Sequence, residues 1–281
     1  MKIHPKTNEL LEGIEPMRKF IEENKGIEIQ YFTKNKDELV DFGVKNPIVE
    51  LMKIFPTLEE ITIHPPLAYH EIELFLYRKK DLLIDILKQL IELSNEYNIK
   101  INMILHTGYV IQQHKLTTLD DIKEIAKLLE GTKVTILLEN MFMMYEKNTC
   151  SVLELCDLIN SENIKVCFDI CHLYCQATAW HMPIKEFIRI YLDKEKCKKH
   201  VKHIHFSATL NDDGYIVRST HGRCHTETEK LFEDVSMLLE YGMDSKDINW
   251  VTEVSELDYK LRPDQIKELE GLTSYRDKYK I

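Results

Sequence analysis

Apolar positions along the chain follow two different rhythms. Short, nearly all-apolar runs at 27–32, 60–64, 100–106, 133–139, 164–169, 201–207 and 249–254 predict strands buried on both faces. A very short run, Lys2–His4, supplies an eighth. Between the runs, apolar residues recur every three or four positions over 8–24, 36–54, 70–95, 118–131, 151–160, 183–194, 226–241 and 262–278, the spacing of amphipathic helices. Strand and helix alternate throughout, which predicts a parallel sheet covered by helices. No Gly, Pro or Ser-rich linker divides the chain, so residues 1–281 read as one domain. An open doubly wound sheet has the same alternation, but no G-x-G-x-x-G or G-x-x-x-x-G-K follows any strand. The expected architecture is therefore a single (β/α)8 TIM barrel.

Composition narrows the class. Of 281 residues, 44% are hydrophobic and 30% charged, enough for a large core and a wet surface, which excludes fibrous and disordered classes. Asp plus Glu outnumber Lys plus Arg by 47 to 37, and a net charge of -10 argues against a broad basic face for nucleic acid. No run reaches the roughly 18 to 20 apolar residues that a bilayer crossing needs, and the first residues lack a signal-peptide pattern. A cytoplasmic location without membrane association is expected, and no obligate protein partner is implied. Seven cysteines with no C-x-x-C pair predict reduced thiols rather than a disulfide framework or a cysteine zinc site.

In a barrel of this kind the chemistry gathers where the C-terminal strand ends converge. Six predicted strands carry His64, His106, Glu139, Asp169, His205 and Glu253 at or near those ends. His172 follows Asp169 by three residues, and His221 and His225 follow the strand of His205. All are N or O donors suited to a divalent metal. Glu139 and Asp169 close apolar runs, where a carboxylate would be half-buried and unpaired unless something positive met it. His203 alternates with His205 and reads as a packing or supporting residue, and Glu28 reads equally well as lumenal or structural. His4, His70, His114, His181 and His200 are expected at the surface or flanking helices.

These residues also resemble a known pattern. The segments 164–172 (I-K-V-C-F-D-I-C-H), 138–141 (L-E-N-M), 105–108 (L-H-T-G), 63–64 (I-H) and 252–253 (T-E) are similar to the metal motifs of endonuclease IV, or AP endonuclease family 2, within the xylose isomerase-like barrel superfamily. The resemblance runs over nearly the whole chain in order. It implies up to three zinc ions: one on His64, His106 and Glu139, a second bridged by Glu139 to Asp169, His205 and Glu253, and a third on His172. The family completes that third site with an Asp-Arg-His motif, where this chain reads S-T-H-G-R-C-H over 219–225, so only His221 or His225 is left to supply a ligand. Two further departures weaken the case for duplex DNA. The family's Tyr-Leu probe is replaced by Pro65, Pro66, Leu67 and Ala68 before Tyr69, and its Ala-Gly turn by the bulky run 141–145.

Two activities fit the donors. Closely spaced metals activate water and take phosphate oxygens, which is phosphoester hydrolysis on a phosphate-containing substrate such as damaged DNA. Arg218 and Arg223, with His225, are then the candidates to bind it. The alternative is a sugar isomerase or epimerase with one Mn2+ or Mg2+ ion on Glu139, Asp169, His205 and Glu253, the two glutamates passing a proton on a small sugar and His172 binding it. In either case Glu139, Glu253 and His172 are the candidate catalytic residues. His64 and His106 favour the multinuclear hydrolase, because a single-ion isomerase has no use for imidazoles on those two strands.

Overall fold

The computed structural model describes residues 1–32, 42–66, 72–107, 115–140, 151–208, 222–225, 227–254 and 258–281. They form a (β/α)8 barrel. Its strands are β1 (Lys2–His4), β2 (Lys6–Asn8), β3 (Gly26–Gln30), β4 (Glu60–His64), β5 (Lys100–His106), β6 (Val134–Glu139), β7 (Ile164–Asp169), β8 (Val201–Phe206) and β9 (Asn249–Thr252). All neighbours are parallel, in the order β1-β9-β8-β7-β6-β5-β4-β3-β2. The nine labels make eight staves, because β1 and β2 are halves of one strand interrupted at Pro5. Pro5 has no N–H to give the ladder, so the first half pairs with β9 and the second with β3. Its carbonyl still accepts from Glu28 N at 2.9 Å, which closes the ring.

The helices are α1 (Ile14–Asn24), α2 (Lys45–Ile54), α3 (Ile72–Tyr97), α4 (Lys115–Leu129), α5 (Ser151–Ile159), α6 (Ile170–Ala179), α7 (Ile184–Tyr191), α8 (Lys194–His200), α9 (Thr228–Glu240) and α10 (Pro263–Tyr279). Two of them, α6 and α8, are absent from the periodicity reading. α6 is only 10 residues long and mostly buried, so it shows no polar face, and α8 is a charged K-E-K-C-K-K-H turn capped by Asp193. The expected helix start at residue 8 also moves: Asn8 ends β2 and its Oδ1 accepts from Leu10 N and Glu12 N, so α1 begins only at Ile14.

Side-chain alternation along the strands separates two cores. Ile27, Ile29, Ile61, Ile63, Ile101, Met103, Leu105, Ile136, Leu138, Val166, Phe168, Ile204 and Trp250 face the helices in one large cluster. Ile104, Leu137 and Cys167 form a separate small cluster inside the barrel. Below that apolar layer Glu60 accepts from Lys100, Asn102 and Asn249, and above it lies the mouth. His4 is fully buried near the floor rather than at the surface, its ring packed over Gly26, where an added Cβ would fall 2.2 Å from the imidazole. His200 is likewise buried and bonded to Asp157, whereas His181 is exposed. His70 and His114 lie outside the described residues. Among the described residues no helix is long and apolar enough to cross a membrane.

Candidate functional site

Parallel strands deliver their last residues to one rim. His64, His106, Glu139 and Asp169 are the final residues of β4 to β7, His205 is the penultimate residue of β8, and Glu253 follows β9 directly. Register places His106 beside Glu139 and Asp169 beside His205. A break in the β7–β8 register at Val166/Cys167 brings Cys167 opposite His203 and so sets that second pairing.

The six side chains meet around Glu139. Its Oε2 lies 3.2 Å from His106 Nε2 and 3.7 Å from His64 Nε2. Its Oε1 lies 3.3 Å from His205 Nδ1 and 3.6 Å from His172 Nδ1. His205 Nδ1 is also 2.9 Å from Glu253 Oε2 and 3.9 Å from Asp169 Oδ2. One donor atom each from Glu139, Asp169, His205 and Glu253 falls within 4.8 Å of the others, and the same holds for His64, His106 and Glu139.

Local hydrogen bonds fix how the donors are presented. Asp169 caps α6, Oδ1 accepting from His172 N at 2.8 Å, which leaves Oδ2 as its oxygen toward the centre. The next turn places His172 with Nδ1–H donating to Asn140 O at 2.6 Å, so Nε2 carries the lone pair. Asn140 ties β6 to β7, donating to Asp169 O at 3.0 Å and accepting from Asp169 N at 2.7 Å. His64 Nδ1–H donates to Pro65 O at 3.2 Å, again reserving Nε2.

Glu28 is the residue whose role sequence reasoning left open. Fully buried, its Oε2 accepts from His205 Nε2 at 3.0 Å and from His203 Nε2 at 2.9 Å, which turns His205 Nδ1 inward. Lys6, which the sequence did not single out, lies 2.8 Å from Glu28 Oε1 and 2.7 Å from Glu253 Oε1. The available signal was parity: Glu28 is two residues before Gln30 on a strand whose Ile27 and Ile29 face the helices.

Burial drives His64 down to about 3, Lys6 adding to the effect, so its imidazole is neutral and ready to donate a lone pair. Burial opposes ionisation of Glu139, yet the imidazoles of His106 and His205 outweigh it and hold the carboxyl well below its usual range. Burial likewise opposes charge on Glu28 and is overcome by Lys6 and His205. Burial would discharge His205 too, but the carboxylates of Glu253, Glu28 and Glu139 around it push it well above the ordinary imidazole value. Four carboxylates thus converge on a buried site with the Lys6 ammonium as its permanent cation. The donors are hard or borderline N and O atoms and the surplus charge is negative, so the residues fit one or more divalent ions.

The other expected site residues are placed differently. His221 and Arg218 lie outside the described residues, as do 141–145 and the segment 67–69. Arg223 is exposed, its carbonyl accepting from Ala208 N at 2.7 Å. His225 turns away from the centre: it stacks on Phe206, with ring centroids 5.1 Å apart, and bonds Glu268 through Nδ1 and Asp234 through Nε2, the latter at 3.2 Å. Both its nitrogens are taken by helix carboxylates, so it offers no lone pair to a third ion or to a substrate.

Solved structures with this fold span several chemistries. A D-tagatose 3-epimerase-like protein is 22% identical over 100% of this chain and 98% of its own, with a TM-score of 0.61. The IOLI protein with a binding zinc atom is 15% identical over 99% of both chains, also at 0.61. Endonuclease IV from Thermus thermophilus is 14% identical over 98% of this chain and 100% of its own, at 0.58. No curated protein sequence matches the chain. The model of the xylose isomerase-like TIM barrel family matches residues 60–252, from the start of β4 to the end of β9, and so takes in every strand-end donor except Glu253. The chain belongs to the xylose isomerase-like TIM barrel family, whose members are enzymes.

Proposed function

We propose that this chain is a metal-dependent phosphoester hydrolase with two divalent ions, zinc foremost, at the barrel mouth. The observation that carries the reading is the posture of Glu139. One of its oxygens faces His64 and His106, and the other faces His205. That is the arrangement of a bridging carboxylate between two donor sets. His64, His106 and Glu139 would hold one ion, and Glu139, Asp169, His205 and Glu253 the other. When bound, such a pair supplies Lewis acidity toward two oxygens of a phosphate ester. The chain's part is to hold the donors rigid. Glu28 fixes the His205 ring, Asp169 is anchored by its cap, and His172 is pinned on Asn140 through Nδ1. Arg223, exposed on the segment that follows β8, would supply a guanidinium to the phosphate. Two ions are proposed because two complete donor sets are described; His225 is committed elsewhere and His221 lies outside the described residues.

A second reading has its own support. Glu139, Asp169, His205 and Glu253 form a complete four-donor set by themselves, the set that a single-ion sugar isomerase or epimerase requires. A D-tagatose 3-epimerase-like protein shares the fold. Elemental analysis of protein purified without chelator, with assays on abasic-site DNA, an aryl phosphodiester and a panel of ketoses, separates the two. Two zinc ions per chain and phosphodiester cleavage abolished by Glu139→Gln are expected. One ion with ketose turnover would establish the alternative, and no bound metal in any preparation would overturn both.

A further inference from the structure

We propose that Lys6 is a positioning residue of this centre, an internal cation that shares Glu253 with the divalent ion and so sets how tightly that ion is held. The inference rests on the metal-binding reading above and adds to it a residue outside the donor set.

Lys6 is not a mobile surface lysine. Its side chain is 11% exposed, and its ammonium is clamped between Glu28 Oε1 at 2.8 Å and Glu253 Oε1 at 2.7 Å. The backbone is held too. Lys6 O accepts from Arg262 Nη1 at 3.0 Å, and Arg262 Nε donates to Glu12 O at 3.0 Å, which ties the start of α10 to the second half of the broken first strand. The Pro5 interruption hands Lys6 from β9 to the β3 side, opposite Glu28 in the ladder.

The consequence is electrostatic. With Oε1 engaged by Lys6, Glu253 presents only Oε2 to the centre, 2.9 Å from His205 Nδ1. Glu28, Glu139, Asp169 and Glu253 bring four negative charges, and the ammonium cancels one. A fixed unit charge this close in a poorly screened site opposes the binding of any further cation. The same ammonium offsets repulsion among the carboxylates when no ion is bound. Removing it should therefore destabilise the metal-free protein and tighten metal binding, two sides of one linkage.

The test titrates chelator-stripped protein with zinc chloride against a chromophoric chelator, for wild type, Lys6→Gln, Lys6→Met and Lys6→Arg, and follows each by thermal melting with and without saturating zinc. Both neutral variants should bind zinc at least tenfold more tightly and melt lower than wild type only when zinc is withheld. Lys6→Arg, which keeps the charge, should stay within threefold of wild type. Equal or weaker zinc binding by the neutral variants, or equal tightening by Lys6→Arg, would overturn the assignment. If Lys6→Gln does not fold, Lys6→Met alone decides. Wild type that binds no zinc defeats the metal-centre reading itself, a result distinct from wild type binding normally while the variants are indifferent.

Discussion

Single side chains at the mouth act through the atoms they turn away from it. His205 turns Nδ1 inward because Glu28 occupies its outer nitrogen, so on the proposed metal centre Glu28→Gln, which removes the charge and keeps the shape, should weaken zinc binding about 10- to 100-fold with the fold intact. A competition titration reads the loss, and unchanged affinity would show that His205 needs no such partner. His225 offers a second case, outside the centre. Burial lowers its proton affinity, but Asp234 and Glu268 on either side outweigh that and raise its pKa above the ordinary value. Because the folded pKa is raised, the imidazolium contributes stability that is complete below the unfolded value near 6.5 and is lost as pH rises through the higher folded one. His225→Gln should thus cost about 3 kcal/mol near pH 5.5 and clearly less near pH 9. Urea denaturation at the two pH values measures this, and a cost that grows with pH would contradict the ion-pair account.

At the level of elements, the strand-to-helix turn from β7 into α6 sends the two oxygens of one carboxylate in different directions. Asp169 caps α6 through Oδ1 and faces the centre with Oδ2. Asn caps a helix about as well as Asp, so Asp169→Asn should keep stability within about 1 kcal/mol while losing most of the metal affinity. Asp169→Ala should lose the metal and about 1 kcal/mol more of stability. Thermal melts of metal-free protein alongside zinc titrations test the separation, and equal melting of the two variants would deny the cap. This turn also shows how far the sequence could be read. Six strands were recognisable as apolar runs closing at or near a polar N or O donor, and with the strand–helix alternation that sufficed for the barrel and for bringing those six residues to its rim. Lys6 was hidden because its strand is three residues long on either side of Pro5, too short to show a period. Glu28 was visible only as an odd residue within a strand, since its imidazole partners lie 175 and 177 positions away on β8. His225 read as a mouth residue because its loop starts there, while the carboxylates that claim it come from α9 and α10.

The molecule as a whole is layered along the barrel axis, and its floor is separable from its mouth. Glu60 is the centre of the floor. Its Oε1 accepts from Lys100 Nζ at 2.9 Å, Asn102 Nδ2 at 2.7 Å and Asn249 Nδ2 at 2.6 Å, the last reaching across the lumen from a strand that does not adjoin β4. Burial alone would raise the carboxyl, yet Lys100 and His4 beside it, with these hydrogen bonds, hold it at about 2 against a reference of 4.5. A depressed folded pKa means stability that is present above the unfolded value and lost as pH falls through the folded one. The gap corresponds to about 3 kcal/mol at neutral pH. Glu60→Gln should therefore lower the urea unfolding free energy by about that amount at pH 7, and the deficit should shrink between pH 4.5 and pH 2 as the wild-type carboxyl takes up its proton. Ile104, Leu137 and Cys167 stand between this floor and the donors above it. Zinc stoichiometry in Glu60→Gln should accordingly equal that of wild type, because the variant removes a charge from the base of the barrel and leaves the rim in place. A variant that kept its stability at pH 7, or lost zinc along with it, would show that floor and mouth are one coupled network rather than two layers divided by an apolar one.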